Sequence, residues 1–244
     1  MTRWPHKVRA LAFWTKFDAA KTDVRPKLAP ITAELGDMQD FSRRTALSLL
    51  AAAPWLGAAA RGDGLKLAQA ARTQIGVTLD YDPSYRAISY PRGDVLRTTG
   101  VCSDVLVRAA RDAWNVDLQE RVHADMVRAF SAYPAYPAKR AWGQKSADAN
   151  IDHRRVLNLE TYLERQGARL RASQNARSGD GFSDPQPGDV LSWRLFGNGR
   201  PHIGVVVQGP EKVRVVHNIG AGAREEALWI FKLHKPVGHY RWRA

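Results

Sequence analysis

Between residues 184 and 218 the chain alternates turn and strand signals so regularly that few local architectures are open to it. Asp184-Pro185-Gln186-Pro187-Gly188-Asp189 is a turn, built from residues that pre-set or release backbone angles. Residues 190–195 follow as a strand. Gly197-Asn198-Gly199-Arg200 then turns the chain into residues 202–208, and Gly209-Pro210-Glu211-Lys212 turns it into residues 213–218. Connections this short join antiparallel neighbours, because parallel strands need a crossover of a dozen residues or more. Ile219-Gly220-Ala221-Gly222-Ala223 reads as a small-residue loop, and residues 227–233 and 238–242 as further strands. The C-terminal part is therefore an antiparallel meander.

Upstream the apolar period changes from two to 3.6. Residues 65–75 read as a helix stopped by Gly76, residues 118–130 as a second amphipathic helix, and residues 159–166 as a third, ended by Gly167. Between them lie an extended piece at 77–85, a loop at 135–149 long enough to wall a cleft, and a polar loop at 172–182. Helices first and a meander second give an α+β fold, with helices packed on a mainly antiparallel sheet. No internal repeat or second domain is visible, and 244 residues suffice for one core.

The stretch Thr98-Thr99-Gly100-Val101-Cys102-Ser103-Asp104 leads into one more helix, with apolar residues at Cys102, Val105, Leu106, Ala109, Ala110 and Ala113. Thr98 or Thr99 is the expected cap. Cys102 then stands in the first turn, where unpaired N–H groups and the helix dipole favour a thiolate. It is the one cysteine in the chain, which excludes an intrachain disulfide framework and a multi-cysteine metal site. A thiol nucleophile needs a base and a group that orients the base. His202 opens one strand and His217-Asn218 close the next, so antiparallel pairing makes them neighbours. Alternation along residues 213–218 puts Val213, Val215 and His217 on one face and Arg214, Val216 and Asn218 on the other. Because Arg214 needs solvent, the His217 face is the one expected to be buried against the Cys102 helix. His217 is the favoured orienter and Asn218 the alternative.

The first sixty residues have a different character. Ser42-Arg43-Arg44-Thr45-Ala46-Leu47 precedes a short apolar run and Ala58-Ala59-Ala60, which together resemble a twin-arginine export signal with a small-residue cleavage site. The expected organisation is an upstream extension or start-site artefact at 1–37, an export signal at 38–60, and one catalytic domain at 61–244, located in the periplasm or exported. The apolar run is too short to span a bilayer comfortably, so no membrane span remains after signal removal. The net charge of +13 is spread along the chain with no basic run or nucleic-acid motif. Nucleic acid is therefore a weak reading, and a basic enzyme working on an anionic polymer such as cell wall fits the charge equally well.

Gly100-Val101-Cys102-Ser103-Asp104, Asn150-Ile151-Asp152-His153-Arg154-Arg155-Val156, Pro201-His202-Ile203-Gly204, His217-Asn218-Ile219-Gly220-Ala221-Gly222 and Gly238-His239-Tyr240-Arg241 occur in this order. Together they resemble the DUF1287 family, which is placed in the NlpC/P60 branch of papain-like cysteine peptidases. The likeness covers about residues 65–241. It implies a papain-like fold, with Cys102 as nucleophile, His202 as base and His217 in the place of the third polar residue. No cofactor and no metal are expected. Where NlpC/P60 enzymes commonly show Asp-Cys-Ser, this chain has Cys102-Ser103-Asp104, so Asp104 has no counterpart there. Tyr81, Asp104, Asp152 and His153 are the candidate substrate contacts. The implied activity is hydrolysis of an amide bond in peptidoglycan stem peptides through an acyl-enzyme. The open alternatives are an acyltransferase or deamidase, a non-catalytic cell-wall binding protein with a buried structural cysteine, and a metal site drawn from His202, His217, His234 and His239. No H-E-x-x-H or compact ligand spacing supports the last.

Overall fold

The computed structural model describes residues 53–134, 144–170 and 181–243, with side chains from residue 63 onward. The export-signal arginines, residues 1–37, most of the 135–149 loop and most of the 172–182 loop lie outside the described residues.

The chain begins with helix α1 (Ala53–Arg72), which starts upstream of the predicted residue 65 and ends in turns before Gly76. Its Leu67, Ala68 and Ala71 are buried against α2 (Cys102–Trp114). Just past its end, Gln74 donates to the Val105 carbonyl at 2.8 Å, fastening α1 to α2. Asn115, in the left-handed conformation at φ 57°, closes α2 by donating its N–H to the carbonyls of Ala110 and Arg111. Helix α3 (Leu118–Ala129) buries Leu118, Val122 and Met126, spaced one helical turn apart. Helix α4 (Val156–Arg165) buries Val156, Leu159 and Leu163 in the same way. Among the described residues no helix is long and apolar enough to cross a membrane.

Two short strands, β1 (Asp80–Tyr81) and β2 (Thr99–Gly100), pair in parallel and bring Tyr81 opposite Gly100. The main sheet has five antiparallel strands: β3 (Val190–Arg194), β4 (Pro201–Val207), β5 (Arg214–Asn218), β6 (Ala223–Ala227) and β7 (Lys235–Tyr240). Their order across the sheet is β6-β5-β4-β3-β7. Meander and helices agree with the expected α+β layout. One stretch differs. Residues 228–233 form a 3-10 helix rather than a strand, and the sixth strand lies before it, partly in what reads as a loop. The turn at Pro187-Gly188 needs glycine: Gly188 has φ +88°, and an added Cβ would lie 2.2 Å from the Gly64 carbonyl oxygen. Its N–H donates to the Val206 carbonyl.

Both faces of the sheet are covered. Ile203, Val205, Val207 and Val216 face the helices in one apolar core with Cys102, Leu106 and Leu159. Leu191, Trp193, Val206 and Val215 point the opposite way, into a second core closed by Phe182, Leu228 and Phe231.

Candidate active site

Cys102 is the first residue of α2, and its backbone is fixed from three directions. The Val101 N–H is bonded at 2.7 Å by the carboxylate of Asp104, which does the capping expected of Thr98 or Thr99. Asp104 also holds Arg154 through Nε and Nη2 at 3.0 Å each. Arg154 in turn donates to the carbonyls of Ser84 at 3.1 Å and Asp82 at 3.0 Å. Ser103 Oγ bonds the Arg154 carbonyl. Helix start, the 82–84 turn and the 152–154 turn are thus one locked unit. On the remaining side, Asn218 Nδ2 donates to the carbonyls of Gly100 at 3.0 Å and Asp80 at 3.2 Å.

The thiol opens onto a cleft of about 440 Å³ whose walls include Tyr81, Pro83, Arg155, Leu157 and Pro201. Three backbone N–H groups, of Cys102, Ser103 and Ile203, favour the thiolate. Burial opposes them and wins, with Asp104 adding repulsion, so the thiol is pushed up to about 12. The helix-start argument for a resting thiolate is corrected accordingly: a few N–H dipoles do not offset near-complete desolvation. Tyr81 is likewise pushed up to about 12, by burial first and then by Cys102 and Asp104, and so keeps its proton as a donor.

Of these N–H groups the one that favours the thiolate most belongs to Ile203, the residue after His202. His202 itself turns to the second core, where its ring lies against Trp193 and stacks on Phe231 at 6.1 Å and 15°. Its Nε2 lies 3.1 Å from His217 Nδ1, and His217 Nε2 lies 3.1 Å from Glu226 Oε2. Burial pushes His202 down to about 3 and holds His217 below the ordinary imidazole range. Among the described residues no hydrogen bond joins the sulfur to an imidazole; the thiol and the His202-His217-Glu226 chain flank the start of β4.

This corrects the face assignment. His217 does bond His202, but both leave the sheet on the side away from the helices, while Val216 packs against the helices and Asn218 reaches the loop before Cys102. The solvent argument failed because neither face is open, and Arg214 reaches water from the strand end, bridging to Glu225 at 3.0 Å. The substrate-contact candidates separate in the same way. Tyr81 lines the cleft beside Cys102. Asp104 is consumed by Val101 and Arg154, and Asp152 is buried and accepts from Gln144 and from the Asp148 N–H. His153 is buried, pushed down to about 4 chiefly by desolvation. These three are internal groups that shape the cleft from behind. His239 bonds Asp189 at 2.8 Å in a separate buried pair with Arg241, and among the described residues no group of side chains could hold a metal ion.

Glu226 and Phe231 were not read from the sequence. Glu226 lies in a strand with charges at three successive positions, Arg224, Glu225 and Glu226, and such a pattern resembles a loop.

Residues 68–242 match the family described as "Domain of unknown function (DUF1287)". The chain belongs to this family. The uncharacterized protein YijF of Escherichia coli (strain K12) is 48% identical over 182 residues, covering 73% of this chain and 81% of that one. Among solved structures, one of an N-acetylmuramoyl-L-alanine amidase from Bacteroides uniformis is similar at a TM-score of 0.42 and 12% identity, over 75% of this chain and all of the other. The family match takes in Cys102, His202, His217 and Glu226 alike.

Proposed function

We propose that this chain is an exported thiol hydrolase of the papain-like, NlpC/P60 type, cleaving an amide bond in peptidoglycan stem peptides. The observation that carries this reading is the thiol of Cys102 at a helix start, facing a cleft, with its thiolate favoured by the N–H of the residue after a histidine that is itself bonded to a second histidine. His202 removes the thiol proton as sulfur attacks the carbonyl carbon, then returns a proton to the leaving amine. Thiol and imidazole are both neutral at rest, so proton transfer accompanies attack rather than preceding it. Because His202 leaves β4 on the face away from the thiol, this step requires the start of β4 to turn the ring toward the sulfur when substrate occupies the cleft. The Cys102 N–H and the Tyr81 hydroxyl are the donors for the developing oxyanion. Water then resolves the acyl-enzyme. The substrate class follows from the resemblance to NlpC/P60 enzymes, and the basic charge of the chain is compatible with an anionic polymer.

In this proposal residues 38–60 direct export through Arg43 and Arg44, and cleavage after Ala60 leaves α1 from Arg61 onward. N-terminal sequencing of the secreted form should begin at or near Arg61; a start upstream of Met38 refutes it. The activity is tested by incubating the purified protein with peptidoglycan and weighing the released fragments. New termini at a stem-peptide amide, absent with Cys102→Ala, support the proposal; an unchanged digest opposes it. One observation favours a binding protein instead: the thiol is buried and pushed up to about 12. Retention on peptidoglycan without cleavage, equal in Cys102→Ala, would select that reading.

A further inference from the structure

We infer that Glu226 is a positioning residue that decides which nitrogen of His202 is free to accept a proton; the catalytic consequence rests on the thiol reading above, the proton arrangement does not. A carboxylate can only accept a hydrogen bond. Glu226 Oε2 lies 3.1 Å from His217 Nε2, so that nitrogen carries the proton. A neutral imidazole has one N–H, which makes His217 Nδ1 an acceptor. His202 Nε2 lies 3.1 Å from it and must therefore be the donor. The remaining nitrogen, Nδ1 of His202, is left unprotonated, and it is the one available as a base. The hydrogen bonds run from a partly exposed carboxylate through two buried rings, and each group's role is set by what its neighbour can give or take.

The surroundings hold this arrangement. His217 is fully buried with its ring edge-on to Phe231 at 4.9 Å and 78°, and burial disfavours its doubly protonated form. Trp193 and Phe231 restrict rotation of His202. Arg224 Nη1 lies 3.7 Å from Glu226 Oε1, on the carboxylate oxygen that His217 does not use. Without Glu226 nothing fixes the His217 proton. If it moves to Nδ1, His217 becomes the donor, His202 Nε2 the acceptor, and His202 Nδ1 gains a proton and ceases to be a base.

Two-bond proton–nitrogen correlation spectra of the full chain, assigned with His202→Gln and His217→Gln, read these protons directly. At neutral pH the wild type should show N–H at Nε2 of both rings. Glu226→Gln, whose amide oxygen can still accept, should keep that pattern, and Glu226→Ala should show mixed Nδ1–H and Nε2–H forms at both rings. A wild-type spectrum with Nδ1–H on His202 overturns the inference, as does an unchanged pattern in a folded Glu226→Ala. Should the alanine variant lose its amide dispersion, the wild-type spectrum alone decides. Iodoacetamide labelling of Cys102 in the same samples addresses the other layer. If the protons rearrange as stated while labelling and turnover do not change, the thiol reading fails and the positioning inference stands.

Discussion

The two faces of the five-stranded sheet differ in what holds them. The helix side is aliphatic, with Ile203, Val205, Val207 and Val216 packed on α1, α2 and α4. The other side is aromatic and polar, with Trp193 stacked on Phe231 at 4.6 Å and the two histidines among them. Aliphatic packing excludes water and carries no proton. Flat rings fix the planes of their neighbours, which a proton relay needs. The proposed nucleophile is thus held by the face specialised for packing, and its proposed base by the face specialised for orientation.

The strongest way to break this comparison is Cys102→Ala. It should abolish turnover on any substrate of the wild type and leave the melting temperature almost unchanged, since little volume is lost; Cys102→Ser should be nearly as inactive. Next come the neighbours on β5. His217→Ala should lower kcat by roughly 10²–10⁴-fold, in line with loss of an orienting residue in triads. Asn218→Ala, on the packing face, should affect thermal stability more than kcat. The reverse ranking would return the orienting role to Asn218.

A third test concerns the lock behind the cleft. Arg154 and Asp104 are both buried, with side chains 3% exposed, and removing one partner of a buried pair costs about 3–5 kcal/mol. Arg154→Ala should lower denaturant stability by that order and also free the 82–84 turn, visible as faster amide exchange at Asp82 and Ser84. The last test is acid. His202 and His153 are pushed down to about 3 and about 4 by burial, against about 6.5 in the unfolded chain. Between those values the unfolded state binds more protons, so stability present above pH ~6.5 is lost as pH falls toward 4 and then 3. The loss should be on the order of a few kcal/mol, measured by denaturation across pH, and His153→Phe should flatten the upper part of that decline. A flat profile in the wild type would show that these rings are not held neutral.

Helices and meander were legible because each follows a period set by geometry, and the His202–His217 contact because antiparallel pairing brings the start of one strand beside the end of the next. The sixth strand was not. It is the edge of the sheet, and edge strands carry charges that discourage further pairing, so Ala223–Ala227 lacks apolar alternation while the apolar Leu228–Leu233 beside it is a 3-10 helix. Missing that strand meant missing Glu226. The face assignment failed for a related reason: alternation says which residues share a side, and only the other layers say what lies on it. The cap at Val101 escaped because Asp104 works backwards from the helix interior, three residues after the site it serves.

His217 and Asn218 are consecutive, yet one holds the proposed base on the far side of the sheet and the other ties down the segment that leads into the proposed nucleophile. The alignment between the two halves of the chemistry is therefore set across a single peptide unit, about 3.8 Å from one Cα to the next. In most sites assembled from distant segments, positional error accumulates along every loop between the parts. Here the reference point is shared, so a tilt or slide of β5 carries both partners in the same direction. Thermal motion of the sheet is common to both, and the separation between them is the quantity it disturbs least.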